Sequence, residues 1–255
     1  MPFLTHAGVS LRYDRAGAGP AVLLIHPWSG NRTFWERQVQ ALRDRHTVIT
    51  VDVRGHGESS HPRTGYALGT LVGDLEHLLR AMGVAKVALV GWSMGGFLAQ
   101  ELALRLGDRV TALALVATSA GGASDEKEVA EAKAGIAADF RAFAREITKR
   151  LFKDGADAPL YAWAVSQLQK TPPHVAAACF DALVSADFRT RLKELKVPAV
   201  AVFHGKHDAL TPMAQAEALA TGIKGAKLTV FDDSGHAPPL EEPDKVNAAL
   251  AELFA

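Results

Sequence analysis

The chain has 255 residues, 48% hydrophobic and 22% charged, enough apolar content to bury a full core and unlike a disordered or fibrous composition. Lys plus Arg and Asp plus Glu each number 28, so no net field draws the chain to nucleic acid or an anionic membrane, and its partners are expected to be small molecules. A single cysteine, Cys179, excludes an internal disulfide framework and a cysteine-based zinc site.

Met1-Pro2-Phe3-Leu4-Thr5-His6 has neither the basic start nor the apolar core of an export signal, and no later apolar run approaches a membrane span; the expectation is a cytoplasmic protein. A hairpin is expected from residues 3–6 and 9–14, with its turn at Ala7-Gly8, before Gly17-Ala18-Gly19-Pro20 breaks the chain. Further strands are predicted at 21–25, 47–51, 86–90, 112–116, 199–203 and 227–231. Helices are predicted at 34–43, 71–82, 96–106, 212–221 and 243–254, the last opening with a proline in its first turn. This alternation predicts an α/β fold: an eight-stranded, mostly parallel sheet flanked by helices.

Residues 121–196 interrupt the rhythm with helical patterns alone and are read as a cap inserted between residues 1–120 and 197–255 of the sheet domain. Ile136, Phe140, Phe143, Ile147 and Leu151 form one apolar stripe at helical spacing, read mainly as core. Leu160, Ala164 and Leu168, then Pro172-Pro173, then Val175, Cys179 and Leu183 predict two helices turning back on each other. Cys179 lies in an alanine-rich run and is read as a small buried apolar residue, not a nucleophile.

The chemistry begins at Gly91-Trp92-Ser93-Met94-Gly95-Gly96, which follows a predicted strand and opens a predicted helix. A serine on such an elbow is raised at the tip of a strained turn, and glycines flank it because a Cβ would collide with the neighbouring strand or helix. Its hydroxyl needs a base, and the base needs a group that fixes its tautomer. His236, after the strand ending at Phe231, supplies the base, and Asp208, after the strand ending at Phe203, supplies the acid. The order Ser93, Asp208, His236 is the one expected of a triad built on this elbow. The developing oxyanion requires backbone donors. Position nominates the N–H of Met94, which opens a helix, and that of Trp28 in His26-Pro27-Trp28-Ser29-Gly30, where Pro27 has none.

With these motifs in order, the chain resembles the α/β-hydrolase fold family over nearly its full length. Asp52-Val53-Arg54-Gly55-His56-Gly57-Glu58-Ser59 is similar to the family's turn after strand four, and the segment 205–212 and Ser234-Gly235-His236 stand where the family places acid and base. Pro27 departs from the glycine common after the loop histidine. The resemblance is to small, capped, cofactor-free carboxylesterases and enol-lactone hydrolases. It implies hydrolysis of a small ester or lactone through an acyl-enzyme, with no cofactor. The same triad serves carbon–carbon bond hydrolases and perhydrolases in similar families, and a ligand receptor on a hydrolase scaffold is the reading from a different class. Oligomeric state is not legible.

Other polar residues have structural readings. His26 and His56 stand beside tight turns, where an imidazole bonds the backbone, and Asp52 with Arg54 is expected to brace its loop. His204, His207 and Asp208 lack the helical histidine pair of a zinc hydrolase, so no metal is expected. Gly17-Ala18-Gly19 lacks the further glycine and helix of a dinucleotide site. Asp232 and Asp233 lie too close to His236 in sequence to orient it. The pocket is expected to be partly aromatic, drawn from Trp28, Trp92, Phe140, Phe143, Tyr161 and Trp163, and a carboxylate-bearing substrate would call for Arg141, Arg145 or Lys149 facing it.

Overall fold

The computed structural model describes residues 2–6, 8–121 and 125–255. In chain order the elements are β1 (Phe3–His6), β2 (Val9–Ala16), β3 (Ala21–Ile25), α1 (Glu36–Leu42), β4 (Thr47–Val51), α2 (Leu68–Ala81), β5 (Val87–Trp92), α3 (Met94–Leu106) and β6 (Val110–Val116). There follow α4 (Glu126–Leu151), α5 (Tyr161–Leu168), α6 (Pro173–Ser185), β7 (Ala199–Gly205), α7 (Met213–Gly222), β8 (Lys227–Phe231), α8 (Pro238–Glu241) and α9 (Pro243–Leu253). The strands form one sheet in the order β1-β2-β4-β3-β5-β6-β7-β8. β2 pairs antiparallel with both β1 and β4, and the pairings from β4 through β3, β5, β6 and β7 to β8 are all parallel.

Alternation along the central strands feeds two cores. Leu23 and Ile25 of β3 join Val87 and Leu89 of β5 under α2 and α3, whereas Val22, Leu24, Ala88 and Val90 face α1 and α9 on the other side. Both faces of these strands are buried, which is why they read as unbroken apolar runs. Parallel pairing also puts the loops after β3, β5, β7 and β8 on one edge, carrying Trp28, Ser93, Asp208 and His236.

The helical cap lies between β6 and β7. α4 is not one regular helix: Asp139 leaves helical geometry (φ −155°, ψ 92°) and its Oδ1 accepts the Ala142 N–H at 3.0 Å, so the chain is capped anew in mid-helix. The expected stripe divides accordingly. Ile136, Phe140, Ala144, Thr148 and Leu151 are buried, while Phe143 and Ile147 turn to a cavity. α6 begins at Pro173, where a missing N–H costs no helical bond. The predicted helix at 34–43 begins instead as a 3₁₀ turn, because the Asn31 side chain accepts the Thr33 N–H at 3.0 Å. The expected Ala7-Gly8 turn includes Ala7, and the expected cap includes residues 122–124; these lie outside the described residues. Among those described, no helix is long and apolar enough to cross a membrane.

Candidate active site

β5 runs directly into α3 with Ser93 between them at φ 52°, ψ −114°, a region that non-glycine residues seldom adopt. The strain is held from outside: the Ser93 N–H donates to Val116 O at 2.9 Å, and Ser93 O accepts from Gly96 N at 2.8 Å and Thr118 Oγ1 at 2.9 Å. The glycines answer to close approach. A Cβ on Gly91 would overlap the Gly95 carbonyl, one on Gly95 the Ile25 carbonyl, and one on Gly96 the Thr118 side chain. The first turn of α3 is thereby pressed against the end of β3, beside the loop that begins at His26. That loop is a turn closed by Gly30 N to Pro27 O at 2.9 Å, with Ser29 at φ 55°. The N–H groups of Met94 and Trp28 donate to no backbone acceptor among the described residues.

His236 Nδ1 lies 2.8 Å from Asp208 Oδ2, and both side chains are buried. The other oxygen of Asp208 accepts the N–H groups of Leu210 and Thr211, each at 2.8 Å. Burial alone would push the Asp208 carboxyl up, but His236 and these two N–H groups outweigh it and hold the group below its usual range. Asp232 and Asp233 are engaged elsewhere, with Lys206 at 2.9 Å and Lys153 at 3.0 Å. Ser93 and His236 line one cavity of about 230 Å³; among the described residues no hydrogen bond joins them.

The cavity wall combines Trp28, Phe143, Ile147, Phe180, Leu183 and Leu210 with the charged Glu128 and Arg150. Of the expected aromatics, only Trp28 and Phe143 reach it. Trp28 stands edge-on to Phe140, Phe143 and Phe180, and its indole donates to Ala176 O at 2.9 Å. Trp92 lies beneath the site, where its indole N–H donates to His236 O at 2.8 Å; its place next to the nucleophile was the signal for that bracing role. Phe140 is buried, Trp163 packs tilted against Phe34 with ring centroids 4.8 Å apart, and Tyr161 bonds Arg145 O at 3.3 Å. The cation at the cavity is Arg150, not Arg141, Arg145 or Lys149; Lys149 pairs with Glu146 at 2.8 Å on the outer face of α4. A larger hollow of about 530 Å³, between the segment 63–68 and α6, contains none of the candidate side chains.

The remaining polar residues brace the scaffold. His26 is fully buried, with Nδ1 against Pro27 O at 2.8 Å and Nε2 accepting the Val53 N–H at 3.0 Å; burial lowers its pKa to about 4. His56, 5.0 Å away, bonds Arg54 O at 3.0 Å, and burial, then His26, lowers its pKa to about 3. Asp52 and Arg54 do not pair with each other. Asp52 takes Arg32 at 2.7 Å, and Arg54 makes a bidentate pair with Asp74 at 2.7 and 2.8 Å. His204 is buried with Nε2 4.0 Å from Asp208 Oδ2, whereas His207 is exposed, so the two do not converge. Burial pushes the Cys179 thiol up to about 12, far from a reactive thiolate.

A model of the alpha/beta hydrolase fold matches residues 20–243 of the chain. Over 255 residues the chain is 32% identical to a pimeloyl-[acyl-carrier protein] methyl ester esterase of Chromobacterium violaceum, covering 96% of this chain and 98% of the relative. Among solved structures it is similar to an enol-lactonase from Burkholderia xenovorans LB400, with a TM-score of 0.92, 28% identity and coverage of 99% of both chains. It is equally similar in shape to an esterase from Exiguobacterium antarcticum, with a TM-score of 0.92 and 27% identity over 98% of this chain and 97% of that one.

Proposed function

The chain belongs to the α/β-hydrolase fold family, and from that premise we propose that it is a serine hydrolase of small, partly apolar carboxylic esters or lactones. The observation that carries the reading is the 2.8 Å contact of His236 Nδ1 with Asp208 Oδ2 at the wall of the cavity that also holds Ser93. With its Nδ1 proton committed to Asp208, His236 keeps Nε2 as the basic nitrogen and takes the Ser93 hydroxyl proton as the oxygen attacks the acyl carbon. The oxyanion rests on the N–H groups of Trp28 and Met94, and the α3 N-terminus adds a favourable field. His236 then protonates the leaving oxygen. Water repeats the sequence on the acyl-Ser93 intermediate and releases the acid. The chain contributes Ser93, His236, Asp208 and the two N–H donors to these steps, and the substrate and water supply the rest.

The esterase and lactonase relatives support the bond type, and the apolar cavity supports the substrate class. At about 230 Å³ the cavity lies below the size usual for drug-sized ligands, which points to a short acyl group. The test is Ser93→Ala. It should abolish p-nitrophenyl acetate turnover, by about 10⁴-fold or more, and abolish fluorophosphonate labelling, while the fold is kept. Labelling that persists at another residue, with turnover near the parent's, would overturn the assignment.

A further inference from the structure

The base of the cap is joined to both loops that carry the acid and the base. At the last turn of α4, Arg150 Nη2 donates to Ala209 O at 2.6 Å, the residue next to Asp208. Just beyond that helix, the Lys153 N–H donates to Glu241 Oε1 at 2.7 Å. The second oxygen of the same carboxylate, Oε2, accepts the Gly235 N–H at 2.8 Å, the residue next to His236. The two segments approach closely at this point. A Cβ on Gly235 would lie 2.8 Å from the Lys153 nitrogen and 2.9 Å from the Leu151 carbonyl oxygen. The neighbouring carboxylate, Glu242, ties down the start of the same loop through Asp233 N at 3.0 Å and Ser234 Oγ at 2.7 Å.

We propose that Glu241 is a positioning residue for His236, bridging the histidine loop to the end of α4, while Arg150 does the same for the Asp208 loop, so that the cap base sets the acid–base register. This rests on the triad reading given above. One carboxylate with an oxygen for each N–H is a rigid two-point clamp; an amide in its place keeps one acceptor and turns a donor toward the other N–H. Burial pushes the Glu241 carboxyl up, so the charge is carried there at a cost that the backbone N–H bonds partly offset. Loss of the clamp displaces His236 while leaving the apolar lining of the cavity in place, and small misplacements of a catalytic group act on the chemical step more than on binding.

Glu241→Gln and Glu241→Ala test this, with p-nitrophenyl acetate kinetics and the far-downfield proton resonance of the His236 Nδ1–H···Asp208 bond. In either variant, kcat should fall by about fivefold or more with KM within about twofold, alanine losing more than glutamine, and the downfield resonance should broaden or vanish. Any other pattern in a folded variant overturns the proposal. Should the alanine variant fail to fold, the glutamine variant carries the test. Arg150→Met, altered at a side chain that also lines the cavity, should lower kcat separately, and an unchanged kcat would remove Arg150 from the proposal. The resonance reads position independently of turnover, so a parent protein without esterase activity would sink the hydrolase reading and leave the clamp measurable.

Discussion

Two histidine clusters sit at the carboxyl edge of one sheet, yet only one faces the cavity. His26 and His56 follow β3 and β4, are wholly buried, and bond backbone atoms. His236 follows β8, gives one nitrogen to a carboxylate and, among the described residues, leaves the other uncommitted at a cavity wall. The difference teaches that residue type and sheet edge do not single out a candidate base; the partner does. Backbone partners, a carbonyl and an N–H at His26 and a carbonyl at His56, hold a neutral ring in place and stiffen a turn, whereas a carboxylate both fixes the tautomer and stabilises the imidazolium that forms when a proton arrives.

Substitutions in the two clusters should therefore separate activity from stability. Asp208→Asn has the largest expected effect. Its Oδ1 can still accept the Leu210 and Thr211 N–H groups, but its amide presents a donor to Nδ1 and forces the proton to Nε2. On the order of 10³–10⁴ should be lost from kcat with little change in melting temperature, measured by ester turnover and calorimetry. His56→Ala should do the reverse. Removing a buried ring and its bond to Arg54 O should lower unfolding free energy by about 2–4 kcal/mol in urea titrations, with kcat within about twofold. A variant at His56 that loses turnover while keeping its stability would break the comparison.

The placing of the candidate site residues on one sheet edge was more legible than that of their supports, for a physical reason. Ser93, Asp208 and His236 each follow an apolar strand in a parallel sheet, so the strand ends deliver them to one edge wherever the helices pack. Partners of charged side chains carry no such local mark. Asp52 and Arg54 lie two residues apart in sequence yet pair with Arg32 and Asp74, because adjacent strands and a helix bring those groups closer than the turn does. The stripe from Ile136 to Leu151 kept helical spacing through Asp139, so nothing in its periodicity announced the break that turns Phe143 and Ile147 to the cavity. Likewise Arg150 and Arg145 are both helical cations in sequence. Only the end of α4 decides which one reaches the cleft.

The smallest effect is the most direct measure of how the clusters differ. His26 and His56 have native pKa values of about 4 and 3, against about 6.5 for an unperturbed histidine, with burial the leading cause for both. As pH falls below about 6.5 the unfolded chain takes up protons that the native state refuses, so the unfolded state gains and stability is lost on the way down toward about 4. Each histidine contributes about 1.4 kcal/mol per pH unit within that window. The Asp208 shift acts in a different window: its native pKa is lowered, so its contribution is intact above the usual carboxylate value and fades only as pH falls below about 4. Unfolding free energies of the parent and His56→Ala, from urea titrations, should therefore converge as pH falls from about 6 to about 4.5, with the variant's slope shallower by about 1.4 kcal/mol per pH unit. Equal slopes would mean that His56 takes up protons as readily in the native state as in the unfolded chain, and would break the reading of His56 as a buried neutral brace.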